Sequence, residues 1–413
     1  MRSDVDRVNQ VIEAMYEQFV KSLKNPSQRH PSPTKSTPID QHVQAVTLAP
    51  AASAVATSWW LKVVIAILAS VVAALGLVMA LVILPARDMM VPITTLQPPI
   101  DEPENLIERA IIVELFYALG GPHWTGSTFW PVEDKNIPHC KWVGLECDEA
   151  GRVIAITLIA NTFNGTVPAS IGNLKNLKNL WLSVGDIHGP LPNTINQLAK
   201  LEVMHVSYAS LKGDLPDLRN LKSLKTLSLD GNKFDGTLPE HYFQLPRLEY
   251  LDLSILRLVG TLPQTITNTL ISMDLSINNI HGTIPDYSSS NLKFVDLSWN
   301  FLHGSVPPMG HNLQSLLLPN NILNGTFVGS GYNQLKSIDL SNNELCGDFD
   351  LPTMNVSSLT HLDISGNRFS SIFRHTPMNK IVAQYCKATG NYIVCPVLNW
   401  VTEKCQIDIE CNE

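Results

Sequence analysis

The sequence predicts an α/β solenoid behind a transmembrane helix and a disordered N-terminal tail. Short parallel strands should stack into one concave sheet, and the chain should return along an extended or irregular convex side. Three observations carry this expectation. The phrase LxxLxLxxN, followed by xLxGxLP, recurs between Leu158 and Asp363, as in LKTLSLDGNKFDGTLP from Leu224 to Pro239. Val63 to Leu84 is a run of 22 residues without a charge or a proline. All seven cysteines lie C-terminal to that run.

Aligned on their first apolar residue, the repeats start at Val153, Leu177, Leu201, Leu224, Leu248, Leu270, Leu292, Leu313, Leu335 and Leu359, giving ten units of 21 to 24 residues over 153–370. That period with this leucine spacing is the signature of a leucine-rich repeat solenoid. Within LxL the alternation of apolar and polar residues makes a short strand, leucines inward and the intervening residues outward. The closing Asn (Asn161, Asn232, Asn278, Asn300, Asn321, Asn343, Asn367) sits where the chain leaves the strand, and its amide can bond backbone groups of neighbouring turns. Gly185, Ala209 and Leu256 replace it in three units, where local loosening without a gap is expected. The prolines that end each phrase, from Pro168 to Pro307, exclude a continuing ladder or helix and require an extended or irregular return.

This phrase resembles the plant-type leucine-rich repeats of receptor-like proteins, receptor-like kinases and secreted enzyme inhibitors. The likeness extends to the flanks. ELFYALGGPHWTGSTFW, HCKWVGLEC and GRVIAITL are similar to the N-terminal cap of such proteins, which implies a cap over 104–152, a helix at Glu114 to Leu119 and a Cys140–Cys147 bridge. Cys395-Pro396 to Trp400, Cys405 and Cys411 resemble the cysteine-bearing end cap of receptor-like proteins of algae and protists, here 371–413. Caps are needed because open solenoid ends expose leucines and a strand edge. Cys386, Cys395, Cys405 and Cys411 allow three connectivities, and Cys346 is the expected leftover.

As a helix, Val63 to Leu84 would span roughly 33 Å, enough for a hydrocarbon core of about 30 Å. With Trp59, Trp60, Lys62 and Arg87 at its ends, 59–85 reads as a transmembrane signal anchor, placing the lipid bilayer around 63–84. Residues 1–62 hold seven Lys or Arg, and 86–108 only Arg87. This bias puts the N-terminus in the cytosol. The cysteines and the sequons at Asn164, Asn324 and Asn355 agree, placing the C-terminal domain outside the cell or in a lumen, at the plasma membrane. Residues 1–58 divide into a short amphipathic helix at 4–24, built on Val5, Val8, Ile12, Met15 and Phe19, and a Pro-, Ser- and Thr-rich disordered stretch. Residues 86–103 form a proline-rich stalk.

The chain carries 29 basic and 37 acidic residues; residues 1–62 take seven and five of them, so the remainder is acidic. Nucleic acid is excluded as a partner, since phosphate recognition needs a basic face. No phosphate loop, metalloprotease helix, kinase phrase or nucleophile elbow occurs, so neither an enzyme nor a cofactor is expected. A kinase domain cannot fit in 58 cytosolic residues, so signalling would need a co-receptor or kinase partner. The middle of each strand forms a column of Trp181, His205, Ser228, Asp252, Asp274, Asp296, Leu317, Asp339 and Asp363. Its aspartates read as solvated acids bonding Ser254, Ser276 and Ser298. Exposed aromatics on a concave face are typical of binding hot spots. Trp181, His205, Tyr208, Tyr250, Phe294 and Trp299, with Ile255 and Ile277 between, are therefore the candidate contacts for a protein, peptide or glycan ligand. The expected function is that of a single-pass receptor-like protein, with a membrane-tethered inhibitor or adhesion module as the alternative.

Overall fold

A computed structural model describes residues 103–124, 127–159, 162–327, 329, 332, 334–351, 359–372, 385–393 and 405–406. The expected tail, membrane span and stalk up to residue 102 lie outside these, as do Asn161, Asn355, Cys395 and Cys411. Among the described residues, no helix is long and apolar enough to cross a membrane.

The repeats close into a parallel-sheet solenoid. Its main sheet has twelve strands in sequence order, and every pair after the first is parallel. The inward residues of these strands form one continuous apolar core. Leu180, Met204, Leu227, Met273, Val295, Leu316, Ile338 and Leu362 have no measurable exposure, and Leu251 is nearly the same. At one end an antiparallel strand, Leu145–Cys147, covers the edge of Val153–Ile159.

Two features go beyond the expectation. The return segment is not merely irregular: directly after the Asn position each unit makes a second short strand. These pair into a four-stranded and a six-stranded parallel sheet, bridged at Thr237 and Val259. Glycine with positive φ lets the chain leave this second sheet, as at Gly282 (φ 90°) and Gly304 (φ 81°). Short 3-10 turns follow Pro168, Pro192 and Pro239 on the convex side. Second, the solenoid continues past residue 370. Tyr385–Lys387 pairs with His361–Asp363, and Asn391 repeats the Asn bonding pattern toward Ile364, Ala388 and Phe369.

The Asn residues act as anticipated, bonding backbone groups of their own turn and of the preceding unit. Asn300 donates to the carbonyls of Leu275, Leu297 and Ser298 and accepts from the Ile280 amide at 3.0 Å. Asn278, Asn321, Asn343 and Asn367 repeat the pattern. Where Gly185, Ala209 and Leu256 stand instead, the main sheet keeps its register. On the convex side, buried Tyr242, Tyr287 and Tyr332 each donate to a proline carbonyl of the preceding unit, Pro216, Pro263 and Pro307. Burial holds all three hydroxyls neutral, far above the usual phenol range.

The N-terminal cap is a helix, Pro103–Ala118, longer than the Glu114 to Leu119 segment expected, laid on an aromatic cluster. Phe116, Trp124, Trp130, Trp142 and Phe163 contact one another with ring centroids 5.1 to 5.9 Å apart. The indoles of Trp124 and Trp130 donate to Leu119 and Val143 carbonyls at 2.8 Å, so their polar edges are satisfied. Cys140 and Cys147 are bridged, Cys386 is bridged to Cys405, and Cys346 is free and exposed.

Candidate functional site

The outward residues of the main sheet form three rows along the concave face. Register aligns Trp181 with His205, Ser228, Asp252, Asp274, Asp296, Leu317, Asp339 and Asp363, the column expected from the sequence. Its aspartates are not solvated, however. Asp274, Asp296 and Asp363 are buried, and Asp252 and Asp339 half-buried. Each Oδ1 accepts from the backbone amide two residues on, and in four cases also from that serine's hydroxyl at 2.6 Å. The column is thus part of the turn that ends each strand. Burial raises the Asp339 carboxyl above the usual carboxylate range, against the Ser341 bonds that lower it.

The candidate aromatics fall into separate places. Trp181 and His205 stack with ring centroids 4.2 Å apart and ring planes nearly parallel, in the same column. Burial desolvates His205, so its pKa falls to about 4 and the ring is neutral at physiological pH; among the described residues its Nδ1 has no hydrogen-bond partner. Tyr250 and Phe294 lie in the row that opens the strands, two units apart with Ser272 between; Tyr250 is 46% exposed and Phe294 half-buried. Tyr208 does not project freely. Its ring lies where a side chain on Gly231 would be, which requires glycine there.

Trp299 belongs to a third row that the sequence pattern did not reveal. The residue just before the Asn position is left-handed in successive units: Val184, Tyr208, Ile255, Ile277, Trp299, Asn320 and Asn342 have φ of 50° to 60°, and Gly231 and Gly366 occupy the same place. Asn and Gly tolerate this conformation; valine and isoleucine do so at a cost on the order of 1 to 3 kcal/mol. Val184, Ile277 and Trp299 are nevertheless exposed, Trp299 at 53%. Two residues further on, Phe301 and Ile322 are also exposed and extend this apolar margin onto the second sheet. Recognising the second strand would have found them, since Phe301 and His303 alternate with buried Leu302.

The edge where the chain enters the strands is charged. Lys225 bonds Glu202 at 2.8 Å. That bond, opposed by burial and aided by Lys178 and Arg247, holds the Glu202 carboxyl below its ordinary range.

The sequons at Asn164 and Asn324 stand exposed on strands of the second sheet. Among the described residues, the one grouping with metal-ligand geometry is His139, Cys140 and Cys147, whose thiols are consumed by their disulfide.

Comparison with known proteins shows what a solenoid of this kind resembles. The Leucine Rich Repeat family model matches residues 223–245 and 358–379. The leucine-rich repeat receptor-like serine/threonine-protein kinase RGI4 of Arabidopsis thaliana is 34% identical over 88 residues, 21% of this chain and 8% of that protein. Polygalacturonase inhibitor 1 of Arabidopsis thaliana is 30% identical over 108 residues, 25% of this chain and 31% of the inhibitor. The chain therefore spans under a third of the length of either relative. Among solved structures, a plant ice-binding protein superposes with a TM-score of 0.61 over 74% of this chain and 99% of its own; at 22% identity this speaks to the fold alone. The PEPR1–AtPEP1 crystal structure matches with a TM-score of 0.57 and 27% identity over 63% of this chain and 42% of that one. In fold and repeat phrase the chain is similar to plant leucine-rich repeat proteins, among them a receptor-like kinase and a polygalacturonase inhibitor.

Proposed function

We propose that this chain is a single-pass membrane receptor-like protein, anchored by 63–84 with residues 1–58 in the cytosol, whose leucine-rich repeat domain binds a protein, peptide or glycan ligand on its concave face. The observation that carries the reading is the placing of Tyr250 and Trp299 in water on the margins of that face, Trp299 on backbone that side chains ordinarily avoid. The left-handed turn itself belongs to the repeat, since the Trp299 amide donates to the Pro319 carbonyl of the next unit; what points to use of the side chain is a large apolar residue standing in water at a place where other units carry Asn or Gly. The likeness to the PEPR1–AtPEP1 crystal structure, a complex of two partners, supports a binding role. The domain lacks catalytic machinery in this reading and recognises rather than reacts, so a receptor response depends on a co-receptor or kinase partner.

The likeness to polygalacturonase inhibitor 1 favours a second reading, a membrane-tethered inhibitor or adhesion module that does not signal. Deleting residues 1–57 separates the two: a receptor loses its downstream response, whereas an inhibitor or adhesion module keeps its effect. The topology is tested on intact cells, where external protease should remove the C-terminal domain and glycosidase should shift the mobility of the full chain. An N-terminal tag reachable from outside would contradict it.

A further inference from the structure

On the flank of the second sheet, the first outward residue of each unit directly follows the Asn position. In eight of the ten units it is polar or charged, from Thr162 and Asp186 at one end to Glu344 and Arg368 at the other. The two exceptions are consecutive: Phe301 in the seventh unit and Ile322 in the eighth, 55% and 47% exposed. The next outward residue stands two further on, and in the eighth unit it is Asn324, the exposed acceptor of the sequon Asn324-Gly325-Thr326. Ile322, Leu323 and Asn324 alternate out, in and out along one strand. Ile322 and Asn324 therefore share a face, with Cα atoms roughly 7 Å apart. On the adjacent strand, register sets His303 against Ile322, and Phe301 shares the outward face with His303. An apolar strip thus begins beside the Asn324 amide and runs through Ile322 to Phe301. The other side of Asn324 is polar: its register partner is Glu344, which pairs with Arg368 at 3.3 Å. Asn164 provides the contrast, since it holds the same place in the first unit with the same Gly-Thr after it. Its neighbour two residues back is Thr162 and its register partner is Asp186, both exposed.

We infer that the occupant of this strip is the chain's own N-linked glycan at Asn324, whose N-acetylglucosamine core lies over Ile322 and reaches Phe301. The inference rests on the extracellular or lumenal placement proposed above, and is independent of the concave-face ligand. Glycan transfer forms a bond from the Asn324 amide nitrogen to the anomeric carbon of the first sugar. It breaks that carbon's bond to the diphosphate of a lipid-linked oligosaccharide, and the amide gives up one proton. The C–H face of a pyranose ring is apolar, so it covers aliphatic and aromatic side chains while its hydroxyl edge stays in water. Adjoining large apolar side chains in water mark a contact surface. A sugar tethered two residues from Ile322 meets that surface at an effective concentration that a free partner does not reach. A second copy of the chain fits less well, because a strip of two side chains is small beside a stable interface and the Asn324 glycan would stand in its way. Trp299, before the buried Asn300, is left to the concave-face ligand.

The test uses the full chain, made in cells that attach N-glycans. Glycopeptide mass spectrometry should find Asn164 and Asn324 both occupied. Hydroxyl-radical footprinting then reads how much of each side chain water reaches. Asn324→Gln should raise oxidation of Phe301 and Ile322 roughly two-fold, as the area under the sugar is uncovered, and Asn164→Gln should leave both unchanged. Thr326→Ala, which abolishes the sequon and keeps the asparagine, should repeat the effect and guards against a fault peculiar to the glutamine. Loss of the Asn324 glycan should lower the melting temperature by about 2 °C, and by much less in a chain already carrying Phe301→Ser and Ile322→Ser. Should that serine pair fold poorly, the footprint decides alone. Unchanged oxidation of Phe301 on losing the glycan, whether because another partner covers the strip or because nothing does, would overturn the inference. So would an equal fall in melting temperature in both backgrounds. Asn164 separates the two ways of failing: a bare Asn324 beside an occupied Asn164 sinks this inference alone, whereas both sites bare would sink the proposed topology with it.

Discussion

Replacing Asn300 by alanine probes the bonding that joins one repeat to the next. The side chain is buried, and four bonds end with it: three carbonyls, of Leu275, Leu297 and Ser298, lose a donor, and the amide of fully buried Ile280 loses its acceptor. An orphaned buried amide costs about 1 to 3 kcal/mol, and each lost net bond about 1 kcal/mol, partly recovered at carbonyls that can find another donor. The expected destabilisation is about 3 kcal/mol in denaturant unfolding. Asn300→Asp should not rescue, since a carboxylate would face three carbonyls in a buried site. Because each repeat contacts only its neighbours, hydrogen exchange should accelerate at Ile280 and the adjoining units and stay slow in Val153–Ile159. A loss under 1 kcal/mol, or exchange raised uniformly along the solenoid, would refute the view that the Asn ladder couples the units.

Other expectations follow from the same geometry. Cys140→Ser, which opens the bridge of sequence separation 7, should cost about 2 kcal/mol, whereas Cys346→Ser at an exposed free thiol should be near neutral; peptide mapping and thermal melts check both. Tyr250→Ala and Trp299→Ala should leave the melting temperature nearly unchanged and each cost ligand binding about 1 to 3 kcal/mol, while Leu297→Ala in the core should cost about 2 to 5 kcal/mol of stability. Ile277→Asn relieves a left-handed β-branched residue at φ 57°, so it should raise stability by up to about 1 kcal/mol and lower ligand affinity; a fall in stability would show that the isoleucine packs. His205 has a folded pKa near 4 against an ordinary 6.5, so the unfolded chain takes up the proton first. Its contribution is complete above pH 6.5 and is lost as pH falls toward 4, by about 3 kcal/mol, and His205→Gln should flatten that part of the stability profile.

Much of this architecture is written in the sequence because a repeat states the same rule many times. The leucine phrase fixes the strand, its inward residues and the register that aligns Trp181 with His205. What it does not state is set by contacts between repeats. Asp274 and Asp296 read as solvent-facing acids by alternation alone, but they are drawn into the turn by Ser276 and Ser298, and neighbouring strands cover them. The second sheet escaped notice because its strands are two to six residues long and end in glycine or a turn, too short for alternation to register. The left-handed row was hidden for a related reason: Ile255, Ile277 and Trp299 are residue types that ordinarily avoid that conformation. In the candidate site, the sequence located Tyr250 and Trp299 on exposed margins; it did not foresee that Tyr208 lies against Gly231 or that Phe301 and Ile322 widen the apolar edge.

The claim that the concave face engages the ligand is tested most directly by site-specific photo-crosslinking in living cells. A photoreactive side chain is placed in the full chain at Tyr250, at Phe294 or at Trp299, and for comparison at Gln244 on the convex turn Glu240–Gln244, which is also exposed. Irradiation should yield one adduct of the same size from the three concave positions and none from Gln244. Adducts at Gln244 alone, or equal adducts at all four positions, would contradict the account.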